Sequence, residues 1–501
     1  MSSQPPLWHH LCAKKVYHLT YLMIVDPSER QATNSLGNTL VATPATLPSP
    51  KPSLQYKSEP STEASNTTQS ANLPPSTHPR VVIVGAGFAG LEAAKTLESG
   101  PFQVVILDKN NYNQFQPLFY QVATAGLEPS SISFPLRKLF QNKPNVHIRV
   151  TAVQSLEPER KVLHTTIGEI RYDYLILALG GDTNFFGNER IKQFAIPMKS
   201  VSEALYLRNR LLQNYEDAIV TTDEEERQAL MNVVVVGGGP TGVEVSGALE
   251  EMRQHVLPKD IPELNFKKME VTLLEASPNL LGPMRATSRE AARHYLESMG
   301  VKVRTNTAVT DYDGKWVTLA DGSKLLSRTL IWAAGIKANG IQGIPDTCYT
   351  RGNRLVVDEY NTIIGLKDVF AVGDMSYMTT TDFPQGHPQV AQVAMQMSVN
   401  LGKNLLRTIN NQPIKPFRYL DLGSMATIGR NKAVADFPKF SVTGLFAWFI
   451  WMFIHLISLV GARSKVVVFI NWMVSYFSYD QSLRLIIRPT SKPIQPEEKV
   501  S

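Results

Sequence analysis

Two stretches of this chain dictate most of its architecture: VVIVGAGFAGLE (Val81 to Glu92) and VVVVGGGPTGVE (Val233 to Glu244). Each is a run of β-branched residues entering a glycine-rich turn, with a helical pattern behind it. Strand, tight turn and helix in that order open a parallel βαβ unit. In GAGFAG, Gly85 permits the turn, Gly87 lets a pyrophosphate approach the backbone, and Gly90 lets the helix pack on the strand. The phosphate then rests against the positive N-terminus of the helix. Gly237, Gly239 and Gly242 repeat the same logic in GGGPTG. The chain therefore carries a duplicated nucleotide-binding module and not a short-period repeat.

The acidic residues sharpen this reading. Asp108 ends the next β-run, 23 residues after Gly85, where it can bond ribose hydroxyls. Its counterpart is Glu275, at the end of MEVTLLEA and delayed by an insertion around residues 257–268. A carboxylate there accepts from a free 2′-hydroxyl and repels a 2′-phosphate, so the second site prefers NADH to NADPH. Gly335 in LIWAAGI closes a later strand of the second module and is counted with its cofactor-binding residues.

Other positions leave alternatives open. Glu244 follows the second loop, and spacing alone favours an acidic residue matched to the helix dipole. Gly373 and Asp374 end the strand in DVFAVGDM, where a carboxylate serves a flavin's ribityl chain or acts as a turn or N-cap. Gln392 and Gln396 in AQVAMQ share one helix face. Facing inward they would bond a heterocycle or a quinone carbonyl; on spacing alone a solvent-facing pair is more common.

Composition excludes several classes. The net charge of +6 over 501 residues is modest, and aromatic residues are not interleaved with basic ones, which argues against nucleic-acid binding. Cys12 and Cys348 are far apart, which fits a reducing compartment and provides no redox-active pair. The histidines, including the adjacent His9 and His10, lack metal-ligand spacing, so no metal is expected.

Residues 1–79 are rich in Ser, Thr, Pro and Asn and read as a disordered tail, with Met23 an alternative initiator. A polar helix is expected over residues 202–216. Near the C-terminus, Val442 to Val460 form a 19-residue apolar run, followed by GARSK and a second, 14-residue run from Val466 to Tyr479. The first is just long enough to span a bilayer and the second is short for it. Trp448, Trp451 and Trp472, with Arg463 and Lys465, suit an interfacial position instead.

Two dinucleotide loops, ALGG at Ala178 and AVGD near the end resemble the flavoproteins with two dinucleotide-binding domains. Within them, FQPLFYQVATAGL, GGGPTGVE, AVGDM, AQVAMQ and GSMATIGRNKAVAD resemble type II NADH dehydrogenases, the single-subunit NADH:quinone oxidoreductases, over residues 80–489. The resemblance implies FAD in the first module, with Gly85, Ala86, Gly87, Phe88, Ala89 and Gly90 at its pyrophosphate. Asp108, Lys109 and Val150 would lie at its adenosine, and Gly373, Asp374, Ala391 and Gln392 at its ribityl and ring. Glu244 would stand near nicotinamide and flavin, and Gln392 and Gln396 on the quinone side; these three are the catalytic candidates. Where many relatives carry lysine before the SMA triplet, this chain has Leu422, which offers the flavin only its backbone or methyl groups.

The expected fold is α/β: two Rossmann-like domains, for FAD and NADH, the second inserted in the first, plus a C-terminal helical membrane-anchoring segment. The boundaries are an FAD-binding domain over 80–200 and 354–436, an NADH-binding domain over 201–353, and anchoring helices over 437–501. The expected activity is non-proton-pumping respiratory transfer from NADH through FAD to a membrane quinone, ubiquinone or menaquinone. The resemblance implies a homodimer, held monotopically on the cytoplasmic face of the inner membrane, or the matrix face in an organelle, with a spanning C-terminal segment as the alternative. A reductase of a small redox protein, or a nucleotide-sensing membrane regulator without turnover, are the competing readings.

Overall fold

A computed structural model describes residues 71–478 and 483–487. Order begins before Arg80. Residues 71–79 were expected in the tail, yet Ala71 is buried and Arg149 donates to the carbonyls of Ala71 and Asn72. The rest of the expected tail lies outside the described residues.

Strand β1 (Arg80–Val84), helix α1 (Phe88–Leu97) and strand β2 (Gln103–Asp108) form the first βαβ unit, with β1 and β2 parallel from Val81↔Val104 to Val84↔Leu107. Val81, Val82 and Ile83 are wholly buried, as a strand covered on both faces requires. Helix α2 (Phe119–Ala123) precedes β3 (Val146–Val150), which extends the sheet beyond β2, and β4 (Tyr174–Leu177), which pairs with β1 on the other side.

Helix α3 (Val201–Val220) opens on a capping box, Ser200 and Glu203 each bonding the other's backbone N–H. The second unit follows: β5 (Val233–Val236), α4 (Pro240–His255), β6 (Val271–Leu274), α5 (Ala286–Met299), β7 (Lys302–Arg304) and β8 (Thr329–Trp332). Its parallel sheet runs β8-β5-β6-β7, with the short strand Ile196–Pro197 added at the β8 edge. The second sheet thus takes residues from before position 201.

The chain then returns to the first sheet. Strand β9 (Val369–Ala371) pairs with β4, giving the order β9-β4-β1-β2-β3, and helix α6 (Ala391–Ile409) lies along α1. At that crossing a Cβ on Gly402 would come within 2.8 Å of Thr96.

A three-stranded antiparallel sheet, β10 (Ser424–Gly429), β11 (Lys432–Asp436) and β12 (Ser441–Thr443), joins this frame to helices α7 (Leu445–Ser458) and α8 (Ala462–Ser478). The sheet is bolted to the second unit. Asp436 accepts from the Arg285 N–H at 2.6 Å and the Ser288 hydroxyl at 2.5 Å, capping α5 from another element. On α4, a Cβ at Gly247 would fall 1.6 Å from the Ile428 carbonyl, so α4 and β10 touch backbone to backbone.

The spanning alternative is corrected here. The apolar run beginning at Val442 is broken up: β12 takes its start, Gly444 (φ 75°) and Gly461 (φ 83°) turn the chain, and α7 has only 14 residues. Among the described residues no helix is long and apolar enough to cross a membrane.

Candidate active site

The first glycine loop is shaped by contacts that admit no side chain. Gly85 sits at φ 101°, and a Cβ on it would lie 2.3 Å from the Ala178 carbonyl at the end of β4. A Cβ on Gly90 would lie 1.8 Å from the Gly85 carbonyl. Gly87, by contrast, has nothing within 4 Å of where a Cβ would stand, and as N-cap of α1 it supplies no side-chain bond. An uncapped helix N-terminus facing open space fits a pyrophosphate. Asp108 accepts from the Ala86 N–H at 2.7 Å and from Asn110 at 2.7 Å. Burial pushes its carboxyl up from the ordinary range, against those two bonds and Lys109. Ala86 and Ala89 are buried beside the loop, Phe88 is half-buried, Lys109 is exposed, and Val150 is the register partner of Asp108.

Asp374 lies on the same crevice. A Cβ at Gly181 would come within 3.6 Å of its Oδ2, and one at Gly373 (φ 67°) would meet Ala394 at 3.1 Å and Ala89 at 3.4 Å. Burial raises the Asp374 carboxyl, while Lys199 and Arg354 oppose the rise. Ala391 starts α6, whose N-cap, Val390, likewise makes no side-chain bond. Three features therefore converge on one crevice: a cradle at Gly87, a carboxylate at Asp374 and a bare helix end at Ala391. Together they could hold a phosphate, a polyol and the edge of a ring, the parts of a flavin-type cofactor.

The second loop repeats the logic of the first. Gly237 sits at φ 111° with a Cβ blocked by the Ala333 carbonyl at 2.7 Å, Gly242 is blocked by the Gly237 carbonyl at 1.8 Å, and Gly239 faces open space. Glu275 accepts from Gly238 N–H at 2.5 Å and from Ser277 at 2.7 Å. Gly335 (φ 73°) follows β8, where a Cβ would strike the Phe186 ring at 2.6 Å.

Gln392 and Gln396 face inward, but onto the chain itself. Gln392 donates to the Gly423 carbonyl at 2.7 Å and accepts from the Leu422 N–H at 3.1 Å. Gln396 donates to the Leu420 carbonyl at 2.9 Å and accepts from the Leu420 N–H at 2.9 Å. Each amide mimics a strand partner for the segment 420–423. The Leu422 side chain is 57% exposed.

That segment leads straight into β10, whose Thr427 N–H lies 3.4 Å from Glu244 Oε1. Helix α4 starts at Pro240, so Glu244 stands beyond its first turn, and the dipole does not account for it. It is 7% exposed, and burial pushes its carboxyl up to about 8. Tyr120 and Trp451 stand beside it, and burial raises the phenol well above its usual range. An aromatic file runs from the first loop to α7: Phe88 on Phe115, Phe115 on His455, and His455 stacked on Trp451 at 4.1 Å. Burial holds His455 down at about 4, so it is neutral at pH 7.

Sequence reasoning missed Tyr120, Thr427 and Trp451. All three reach Glu244 across tertiary contacts, and no local spacing announces them. It also missed Glu251, seven residues on and therefore on the same face of α4, which the helical period would have revealed.

Comparison with known proteins shows the family. A family model described as pyridine nucleotide-disulphide oxidoreductase matches residues 79–398, and one described as NDH2 C-terminal domain matches residues 422–478. The type II NADH:quinone oxidoreductase NdhA of Mycobacterium tuberculosis is 35% identical, covering 79% of this chain and 87% of that protein. The chain belongs to the type II NADH:quinone oxidoreductases. Membership extends to organellar relatives: a mitochondrial internal alternative NAD(P)H-ubiquinone oxidoreductase of Arabidopsis thaliana is 29% identical, over 79% of this chain and 84% of its own length. The structure of NDH2 from Plasmodium falciparum in complex with NADH shares the fold, with TM-score 0.75 and 21% identity over 82% of this chain and all of that one. A sulfide:quinone oxidoreductase of Aquifex aeolicus is more distant, at TM-score 0.64 and 19% identity over 82% of this chain and 96% of that one. The C-terminal match starts at residue 422, so it takes in β10 and β11 together with α7 and α8.

Proposed function

We propose that the chain takes hydride from NADH in the second crevice, holds FAD in the first, and passes two electrons to a membrane quinone. The observation that carries this reading is the strip from Leu420 to Thr427. One end is held by Gln392 and Gln396 on the first unit, and the other meets Glu244 on the second. Two nucleotide crevices joined by a strip that reaches a buried acid suit transfer between two bound nucleotides. A protein that merely sensed them would not need the acid.

When bound, FAD would supply the two-electron carrier that this protein's own side chains lack. Gly87 and the N-terminus of α1 would hold its pyrophosphate, Asp108 a ribose, and Asp374 the polyol. Gly239 and α4 would hold the pyrophosphate of NADH, and Glu275 its adenosine ribose. Glu244, protonated below about pH 8, holds a proton within the protein interior at neutral pH. It can give that proton to a reduced quinone oxygen. Gln392 and Gln396 fix the backbone of residues 420–423, and through it the edge where acceptor and ring would meet.

Attachment to the membrane belongs to the same proposal. Phe446, Phe449, Phe453 and Ile457 on α7 and Phe469, Ile470, Val474 and Phe477 on α8 are exposed, while Ala447, Trp451 and Val468 face the body. Large apolar side chains on one side of a helical pair fit burial in one leaflet, where a quinone resides. The test is steady-state NADH oxidation with a short-chain quinone, after identification of the flavin released from the denatured protein. Quinone-dependent turnover with FAD released supports the reading. Turnover only with an added small redox protein contradicts it.

A further inference from the structure

Behind Glu244 lies a cavity of about 120 Å³, walled by α2, α4, β10, α7 and α8. It is graded from wet to dry. Its mouth is formed by half-exposed Gly126, Ser475 and Tyr476, and its depth by Glu244, Trp451 and Thr427, all buried. Glu251 stands between, half-exposed, accepting from the Arg430 N–H at 2.5 Å. At the dry end the Trp451 indole N–H lies beside the Glu244 carboxyl, whose charged form it favours against the effect of burial. A cavity of this size that presents two carboxyls and a threonine alongside its aromatic walls is polar and roomy enough to hold water.

We propose that this cavity is a water-filled proton inlet, in which Glu251 takes protons from solvent and relays them to Glu244. The inference rests on the function proposed above. Reducing a quinone to a quinol adds two electrons and two protons. The hydride of NADH brings both electrons and one proton, so each turnover draws one proton from water. In the inlet, Glu251 gives its proton to a cavity water, which passes one to the Glu244 carboxylate. Solvent at the mouth then reprotonates Glu251. Burial raises both carboxyls, Glu244 to about 8, and at Glu251 the Arg430 N–H, Arg430 and Lys432 oppose the rise.

The charged and titratable groups around Glu251 are consistent with that role. They include Glu244 and His255 on its own helix, Tyr120 on α2, Arg430 and Lys432 on the β10–β11 hairpin, and Tyr476 on α8. Arg430 donates through its side chain to the Ser475 carbonyl at 2.6 Å and lies over the Tyr476 ring at 5.0 Å, which places its cation at the mouth, where its charge opposes the rise that burial causes at Glu251. Glu251 acts through Glu244 and is a positioning and relay residue.

Two readouts test the inlet. The first needs no substrate: hydrogen–deuterium exchange of the buried Glu244 carboxyl, followed by its infrared carbonyl band and assigned by the band's loss in Glu244→Gln. Glu251→Gln keeps an acceptor for Arg430 but carries no proton, and should slow this exchange by roughly tenfold or more. Ser475→Phe, which plugs the mouth, should slow it too and covers the case in which Glu251→Gln does not fold. The second readout separates the half-reactions. Glu251→Gln should leave reduction by NADH unchanged, slow reoxidation by quinone about tenfold, and recover with a small weak acid such as formate. Exchange as fast in both variants as in the parent protein would overturn the inlet. So would a raised quinone KM with an unchanged limiting rate, which would place quinone in the cavity. A parent protein that accepts hydride yet gives nothing to quinone contradicts the proposed function instead, and the exchange measurement still decides the inlet.

Discussion

Asp108 and Glu275 occupy equivalent positions in the two nucleotide crevices: each accepts from the backbone N–H of the residue after its loop's first glycine, Ala86 at 2.7 Å and Gly238 at 2.5 Å. Each also accepts from the N–H two residues further along its own chain. The duplication therefore extends from the glycines to the carboxylate that braces each loop. A carboxylate already fixed by two donors presents its remaining lone pairs in a set direction, which is what recognition of a ribose needs.

Glu275 should decide nucleotide choice. Glu275→Gln keeps one acceptor oxygen and removes the charge that repels a 2′-phosphate. The expected outcome is a KM for NADH raised several-fold and a discrimination against NADPH reduced by about tenfold, on the order of 1.4 kcal/mol. Steady-state kinetics with both nucleotides checks it.

The same braces show how much of the site could be read from the sequence. The glycine loops, Asp108 and Glu275 were legible because strand, turn and helix are consecutive in the chain, and the turn allows only glycine at Gly85 and Gly237, whereas spacing left Asp374 open between a ligand contact and a turn. Gln392 and Gln396 were legible as a pair on one helix face, but spacing alone favoured solvent for them and did not state their role. Their partners Leu420 to Gly423 lie about 24–31 residues away, brought back by a fold that no local pattern states. The C-terminal run misled by its length. Hydropathy is blind to Gly444 and Gly461, whose positive φ values cut the run into a strand and short helices.

The glutamine clamp carries its own expectation. Gln396→Ala removes both bonds to Leu420, a loss of roughly 1–3 kcal/mol of local order. Hydrogen exchange at the Leu420 and Leu422 amides should accelerate, with the global unfolding midpoint changed little. Quinone-side kinetics should suffer more than reduction by NADH. Unchanged amide exchange would show that the segment is held by something else.

Glu244 links activity to stability with a defined sign. Its folded carboxyl lies at about 8, above the ~4.3 of an unfolded glutamate. The folded state therefore binds the extra proton, and its contribution is full below about pH 4.3 and lost as pH rises through about 8. Glu244→Gln should remove that dependence, on the order of 5 kcal/mol across the whole window, leaving the variant relatively more stable at pH 8.5 than the parent. It should also slow quinone reduction while FAD stays bound. Thermal melts at pH 5.5 and 8.5, paired with turnover, check both parts.

Gly247 separates fold from chemistry. A Cβ there would meet the Ile428 backbone at 1.6 Å, so Gly247→Ala must push α4 from β10 and cost about 2–4 kcal/mol of stability. Gly239→Ala enters open space, and should leave the melting temperature near that of the parent while weakening NADH binding. Calorimetry of the two variants side by side distinguishes a packing glycine from a ligand-facing one.

The most direct test of the central claim is anaerobic stopped-flow absorbance of the detergent-solubilised protein at the flavin band, mixing NADH first and a short-chain quinone second. The account expects bleaching by NADH, weaker bleaching by NADPH, and rapid recovery on adding quinone. Bleaching that quinone fails to reverse would leave the two nucleotide crevices in place, but would contradict the transfer of electrons to quinone.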